Sequence, residues 1–235
     1  IGVEVDYVDP QDGTSLRGFL AIPEGLTESE LRNAVLLFPD WDGVDAYERG
    51  RAMMVADELG YVAFAADVYG VDNYNPATFP ERIELSTLYR SNVTLFNGRM
   101  QAAVNLLNDG TFTPHFDASQ NIGFVGYCFG GTGVLNYALD VSAFENNVLG
   151  VVSFHGGLSG TFIPENATVS GMPHVLILSG GDDDASSTVA EIETAFNKAG
   201  RTWEITRFSD VIHGFTVFDT SAYDKRADTR GWDSM

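Results

Sequence analysis

The amino-acid sequence predicts a single α/β domain over residues 1–235, built on a mostly parallel sheet with helices on both faces. Three observations predict it. Short apolar runs recur at Ala34–Phe38, Tyr61–Ala66, Ile122–Val125, Val148–Phe154, His174–Ser179 and Trp203–Phe208, each of a length that suits a buried strand. Segments with helical spacing lie between them, and alternation of strand with helix is the pattern of a parallel sheet. Finally, the stretch Asn121–Gly133 turns from an apolar run through Gly126-Tyr127-Cys128-Phe129-Gly130 into a helical pattern at Val134–Leu139. The length of 235 residues suits one such domain.

Val3–Val8 and Leu16–Ile22 alternate apolar and polar residues around Asp12-Gly13, as the strands of a half-buried antiparallel hairpin do. Residues 23–33 read as a polar connector with one helical turn at Glu28–Leu31. Ala34–Phe38 is the first wholly apolar strand. It runs into Pro39-Asp40-Trp41-Asp42-Gly43, a loop too irregular and aromatic for a mere connector. Tyr47–Leu59 has helical spacing and Gly60 stops it. The strand Tyr61–Ala66 ends at Asp67-Val68-Tyr69-Gly70, and the loop 70–80 after it is long enough to mark a lid or pocket wall. Pro80–Asn108 reads as two helices broken near Ser91. Further on, Val148–Phe154 closes in His155-Gly156-Gly157-Leu158, and His174–Ser179 ends in Gly180-Gly181-Asp182-Asp183-Asp184. Ser186–Ala199 is an amphipathic helix capped by Gly200, and Trp203–Phe208 is the last strand before His213-Gly214-Phe215. Ser221–Met235 reads as the start of a helix that the chain does not complete.

Hydrophobic residues make up 44% of the chain, with 16 Phe, which is ample for a sizeable core. No apolar run is long enough for a transmembrane helix, and no secretory or lipidation motif is visible. The expectation is therefore no membrane partner and a cytoplasmic location, although a start at Ile1 leaves a trimmed targeting segment open. A net charge of −20 argues against nucleic acid as a partner, because phosphate contact needs clustered Lys and Arg. A solvated acidic surface accounts for that charge. The single cysteine excludes an internal disulfide. No two of the four histidines have the i,i+4 spacing of a helical metal site, so no metal is expected.

Ligands in such sheets collect at the carboxyl ends of the strands. Asp40, Cys128, the Asp182–Asp184 run and His213 all fall there. The layout around Cys128 is that of a nucleophile elbow, in which glycines two residues either side make room for a strained turn. The helix that follows favours thiolate at its N-terminus. Nucleophile, acid and histidine come in the chain order of an α/β-hydrolase triad. In those roles His213 would take the thiol proton and pass it to the leaving group, and an aspartate would orient the imidazole. The backbone N–H groups of Trp41 and Phe129 would hold the oxyanion. Trp41, Tyr74, Phe79 and Tyr127 are the aromatic candidates for pocket walls. Each group also has a plainer reading. Cys128 would be a small buried hydrophobe, His213 a core or capping residue and the aspartates a helix cap. His155 is assigned to a tight turn and His115 to an exposed loop.

On these residues the chain resembles the dienelactone hydrolases of the α/β-hydrolase superfamily, from about Val3 to its end. The resemblance rests on Pro39–Gly43, on Leu59-Gly60-Tyr61-Val62 with Asp67–Gly70, and on the elbow Gly126–Gly131. Gly180-Gly181-Asp182-Asp183 and His213-Gly214-Phe215 complete it. It implies an eight-stranded sheet, cofactor-free hydrolysis of small esters or lactones, and a chain that continues into more C-terminal helix. It also implies a triad of Cys128, Asp183 and His213, with the middle aspartate selected by its offset from the glycine pair. Two departures stand out. Members often carry glutamate at Asp40, where the carboxylate contacts the resting thiol until substrate binds. Members that cleave dienelactone itself carry, four residues after the histidine, an arginine for the substrate carboxylate, and here Val217 stands there. Arg82 and Arg90 are the cations left in reach. The expected reaction is cysteine-dependent hydrolysis of neutral small esters through an acyl-thioester. A thioesterase, an acyltransferase or a non-catalytic binding protein are the alternatives, and the oligomeric state is not set by the sequence.

Overall fold

The computed structural model describes residues 2–27, 29–140, 147–161 and 171–235. Eight strands form one sheet: β1 (Gly2–Val8), β2 (Ser15–Ala21), β3 (Ala34–Phe38), β4 (Val62–Ala65), β5 (Ile122–Tyr127), β6 (Val148–Phe154), β7 (Gly171–Gly180) and β8 (Arg201–Phe208). Their spatial order is β1-β2-β4-β3-β5-β6-β7-β8. The hairpin β1–β2 and the pair β2–β4 are antiparallel, and every other pair is parallel. From β3 the chain steps first to β4 on one side and later to β5 on the other. The switch point between β3 and β5 is where a sheet of this kind opens a crevice, and Asp40 and Cys128 follow those two strands.

The helices are α1 (Ala46–Met54), α2 (Phe79–Ser91), α3 (Val93–Asn108), α4 (Phe129–Leu139), α5 (Ser186–Lys198) and α6 (Lys225–Ser234). Asp45 caps α1, and Glu48 closes a capping box with it. The expected helix Tyr47–Leu59 is two pieces, because α1 widens into a π-type turn over Val55–Leu59 before Gly60, at φ 72, ends it. Thr78 and Asn92 cap α2 and α3, which sets the break between them at Asn92. In the connector, Glu30 N–H donates to Thr27 O at 2.9 Å, a turn in place of the expected helical turn, whose Glu28 lies outside the described residues. His115 is half-buried, contrary to its expected exposure, because its Nδ1 meets Glu30 O at 3.1 Å.

Apolar side chains fill both faces of the sheet. Phe38, Phe64, Phe96, Phe124, Phe129, Tyr137 and Phe196 pack on one side, and Ala52, Val55, Tyr127, Phe154, Phe215 and Ala227 on the other. A cation sits within the second layer. Arg51 is 1% exposed, donates to Asp228 Oδ1 at 2.6 Å, and has its guanidinium 4.5 Å from the Phe218 ring centre. It ties α1 to α6.

Candidate active site

Cys128 stands between β5 and α4 with φ 48 and ψ −107, a conformation that side chains other than glycine seldom adopt. Two close approaches hold it there. A Cβ on Gly126 would lie 2.2 Å from Gly130 O, and one on Gly130 would lie 2.3 Å from Phe38 O. Backbone cannot yield as a flexible side chain can. Gly130→Ala is therefore expected to destabilise the protein by about 1–3 kcal/mol, measurable by urea unfolding, and an unchanged midpoint would show that the elbow can shift. The same closeness lets Gly130 N–H donate to Pro39 O at 2.8 Å, which clips the start of α4 to the loop after β3.

Three side chains from separate strand ends converge. Cys128 Sγ lies 3.0 Å from His213 Nε2, and His213 Nδ1 lies 2.9 Å from Asp183 Oδ2. Of the neighbouring aspartates, Asp182 points to solvent, while Asp184 Oδ1 accepts from Leu158 N–H at 3.3 Å. Burial alone would pull the His213 imidazole down, but its hydrogen bonds to Asp183 and Cys128 outweigh this and push it up to about 10. The arrangement can hold an imidazolium between a carboxylate and a sulfur.

Asp40 lies in the loop after β3 and makes no hydrogen bond to Cys128 among the described residues. Its Oδ1 accepts from Asp42 N–H at 3.1 Å, and its own N–H donates to buried Glu48 Oε1 at 3.3 Å. Burial and the neighbouring Asp42 carboxylate push Asp40 up to about 8. Asp42 in turn pairs at 3.1 Å with Arg82, one of the two cations expected in reach of the site. The other, Arg90, lies over the Phe129 ring at 5.6 Å. Phe129 opens α4, so its N–H belongs to the first turn that a helix leaves without internal partners. The Trp41 carbonyl accepts from Tyr69 OH at 3.1 Å. Phe79 is 64% exposed and meets Trp41 edge-on at 5.2 Å.

Two expected pocket residues lie elsewhere. Tyr127 is fully buried, stacked on Phe154 at 5.2 Å, because alternation along β5 turns it into the layer that holds Arg51. Tyr74 faces a separate cleft with Glu4, Arg17 and Arg49, while its backbone packs so tightly on Gly43 that a Cβ there would lie 2.1 Å from Tyr74 O. Conversely, His155 proves to touch the elbow: its Nδ1 accepts from Cys128 N–H at 3.2 Å. The sequence signal for this was a histidine at a strand end beside two glycines, which a tight turn explains equally well. Among the described residues no group of three or more His, Cys, Asp or Glu could hold a metal ion, and no helix is long and apolar enough to cross a membrane.

A strained elbow ahead of a convergent cysteine, histidine and aspartate, at the carboxyl edge of this sheet, defines the α/β-hydrolase class. The chain belongs to the dienelactone hydrolase family, whose family model matches residues 16–235, and it is a hydrolase that acts on ester bonds. It is similar to a dienelactone hydrolase-like promiscuous phosphotriesterase from metagenomic libraries, with 27% identity and a TM-score of 0.80 over 100% of this chain and 95% of the other. It shares its fold with esterase 2 of Thermogutta terrifontis, solved phosphorylated by paraoxon, at 18% identity and a TM-score of 0.69 over 98% of this chain and 91% of the other. No curated protein matches it.

Proposed function

We propose that this chain hydrolyses small neutral carboxylic esters through an acyl-thioester on Cys128. The observation that carries the proposal is the run from Cys128 Sγ through His213 to Asp183, at 3.0 and 2.9 Å. In the proposed cycle the thiolate attacks the ester carbonyl carbon and a C–S bond forms. The carbonyl electron pair moves onto oxygen, where the N–H groups of Phe129 and Trp41 receive it. Collapse breaks the C–O bond, and His213 gives its proton to the departing alkoxide. Neutral His213 then takes a proton from water, the hydroxide oxygen attacks the thioester carbonyl, and the thiolate leaves. Asp183 keeps Nε2 of His213 aimed at the sulfur throughout.

Neutral substrates are favoured because the cations available to an anion are few. Val217 carries no charge and Arg82 is held by Asp42. One missing charged hydrogen bond leaves p-nitrophenyl butyrate ahead of the corresponding succinate half-ester by about ten- to a hundredfold in kcat/KM. The test compares the two at matched ionic strength and looks for the butyryl group on Cys128 by mass spectrometry after acid quench. Acylation at another residue would overturn the mechanism, and an equal or better rate for the anion would show that a cation, Arg82 or Arg90, lines the site. Because one relative is a promiscuous phosphotriesterase, phosphotriesters are the second substrate class to assay.

A further inference from the structure

We infer that His155 is a positioning residue for this reaction, one that locks the elbow carrying Cys128 to the loop carrying His213. The inference rests on the proposed role of Cys128 as nucleophile. Cys128 N–H is shared between Phe154 O, at 3.0 Å, and His155 Nδ1, at 3.2 Å. An Nδ1 that accepts carries no proton, so in the neutral ring the hydrogen is on Nε2. Nε2 lies 2.7 Å from Thr216 Oγ1, in the same loop as His213. The imidazole thus bridges the two loops with an acceptor at one end and a donor at the other.

The far end of the bridge is itself fixed. Thr216 Oγ1 is 2.6 Å from Tyr47 OH, and Arg51 Nη2 donates to Thr216 O at 2.8 Å. His155 meets the rings of His213 and Phe215 edge-on, at 5.2 and 5.0 Å. Its backbone sits at φ 40, outside the regions a histidine prefers, and its N–H is anchored to Leu178 O at 2.8 Å.

A turn alone would not select this residue. Glycine or asparagine would adopt φ 40 at lower cost. What histidine adds is a rigid span between two hydrogen bonds in a site that is 1% exposed. It must also stay uncharged. The ionisable groups around it are His213, Cys128, Tyr47, Tyr127 and Arg51, and a proton on Nδ1 would meet Cys128 N–H head-on. Burial, then the nearby His213 and Arg51 charges, hold the ring well below the ordinary imidazole value.

The test uses three variants of the whole chain. His155→Phe keeps the ring and removes both hydrogen bonds. His155→Asn retains an acceptor near the Nδ1 position and tolerates the backbone angle. Thr216→Val leaves His155 in place and removes the far partner, together with that hydroxyl's bond to Tyr47. For p-nitrophenyl butyrate, His155→Phe is expected to lower kcat by about ten- to a hundredfold with KM within about twofold, since misplacement acts on the reacting geometry more than on binding. Iodoacetamide labelling of Cys128 at neutral pH should slow in parallel. His155→Asn should recover part of both losses, and Thr216→Val should move both in the same direction by less. Thermal unfolding identifies variants that fail to fold, and if His155→Phe is one of them the other two decide. Folded variants with wild-type kcat and labelling would overturn the inference. Activity surviving in Cys128→Ala would instead remove the nucleophile on which it rests.

Discussion

Replacing Cys128 by alanine is expected to lower kcat/KM for p-nitrophenyl butyrate by about three orders of magnitude or more, with little change in thermal unfolding. The expected activity loss follows from removing the sulfur that forms the covalent bond in the proposed cycle. The tolerance follows from the site. Cys128 is half-buried, and alanine at φ 48 meets the same steric cost as cysteine does. A second consequence can be read on His213. Its imidazole is pushed up to about 10 partly by Cys128, so histidine NMR titration of the variant should find it lower while Asp183 still holds Nδ1. Retention of more than about a tenth of wild-type kcat/KM, where loss of a nucleophile typically costs several orders of magnitude, would reject Cys128 as the nucleophile.

Arg51→Ala should be strongly destabilising. Arg51 and Asp228 are 1% and 9% exposed at their side chains and 2.6 Å apart. Truncating the arginine leaves a carboxylate in a largely apolar layer without its cation, which typically costs about 3–5 kcal/mol. For a chain of this size that corresponds to a fall of roughly 6–20 °C in Tm. Thr216 O also loses a donor at 2.8 Å, so activity per folded molecule should fall with stability. A Tm within about 2 °C of wild type, well short of that cost, would mean that water or another cation replaces the guanidinium.

The central strands could be read from the sequence because burial on both faces leaves only apolar residues in them. β3, Ala34–Phe38, is such a run and matches its expected bounds. The elbow could also be read, since the backbone contacts at Gly126 and Gly130 admit no side chain. Asp183 could not be separated from Asp182 and Asp184 by pattern, and entered through family resemblance. Only its 2.9 Å approach to His213 distinguishes it physically. Tyr127 and Tyr74 were misplaced because proximity in sequence to a site says nothing of which way a strand or loop turns its side chain. Nothing in the sequence around Arg51 marks it as buried. Its burial depends on Asp228, and no local pattern reports a partner so far along the chain.

That distance sets a schedule for folding. The hydrogen bond between Arg51 and Asp228 spans 177 positions, and the one between His155 and Thr216 spans 61. During synthesis Arg51 remains an unmatched charge until Asp228 has left the ribosome, and the loop bearing His213 cannot dock on His155 before Thr216 has followed. Contacts of such range are closed late and slowly. The nucleophile elbow, whose β5 pairs with β3 and β6, can assemble well before its histidine is held in place. A nascent or truncated chain would then carry Cys128 without His213 beside it, so under the proposed mechanism the chemistry is acquired only once that loop has docked.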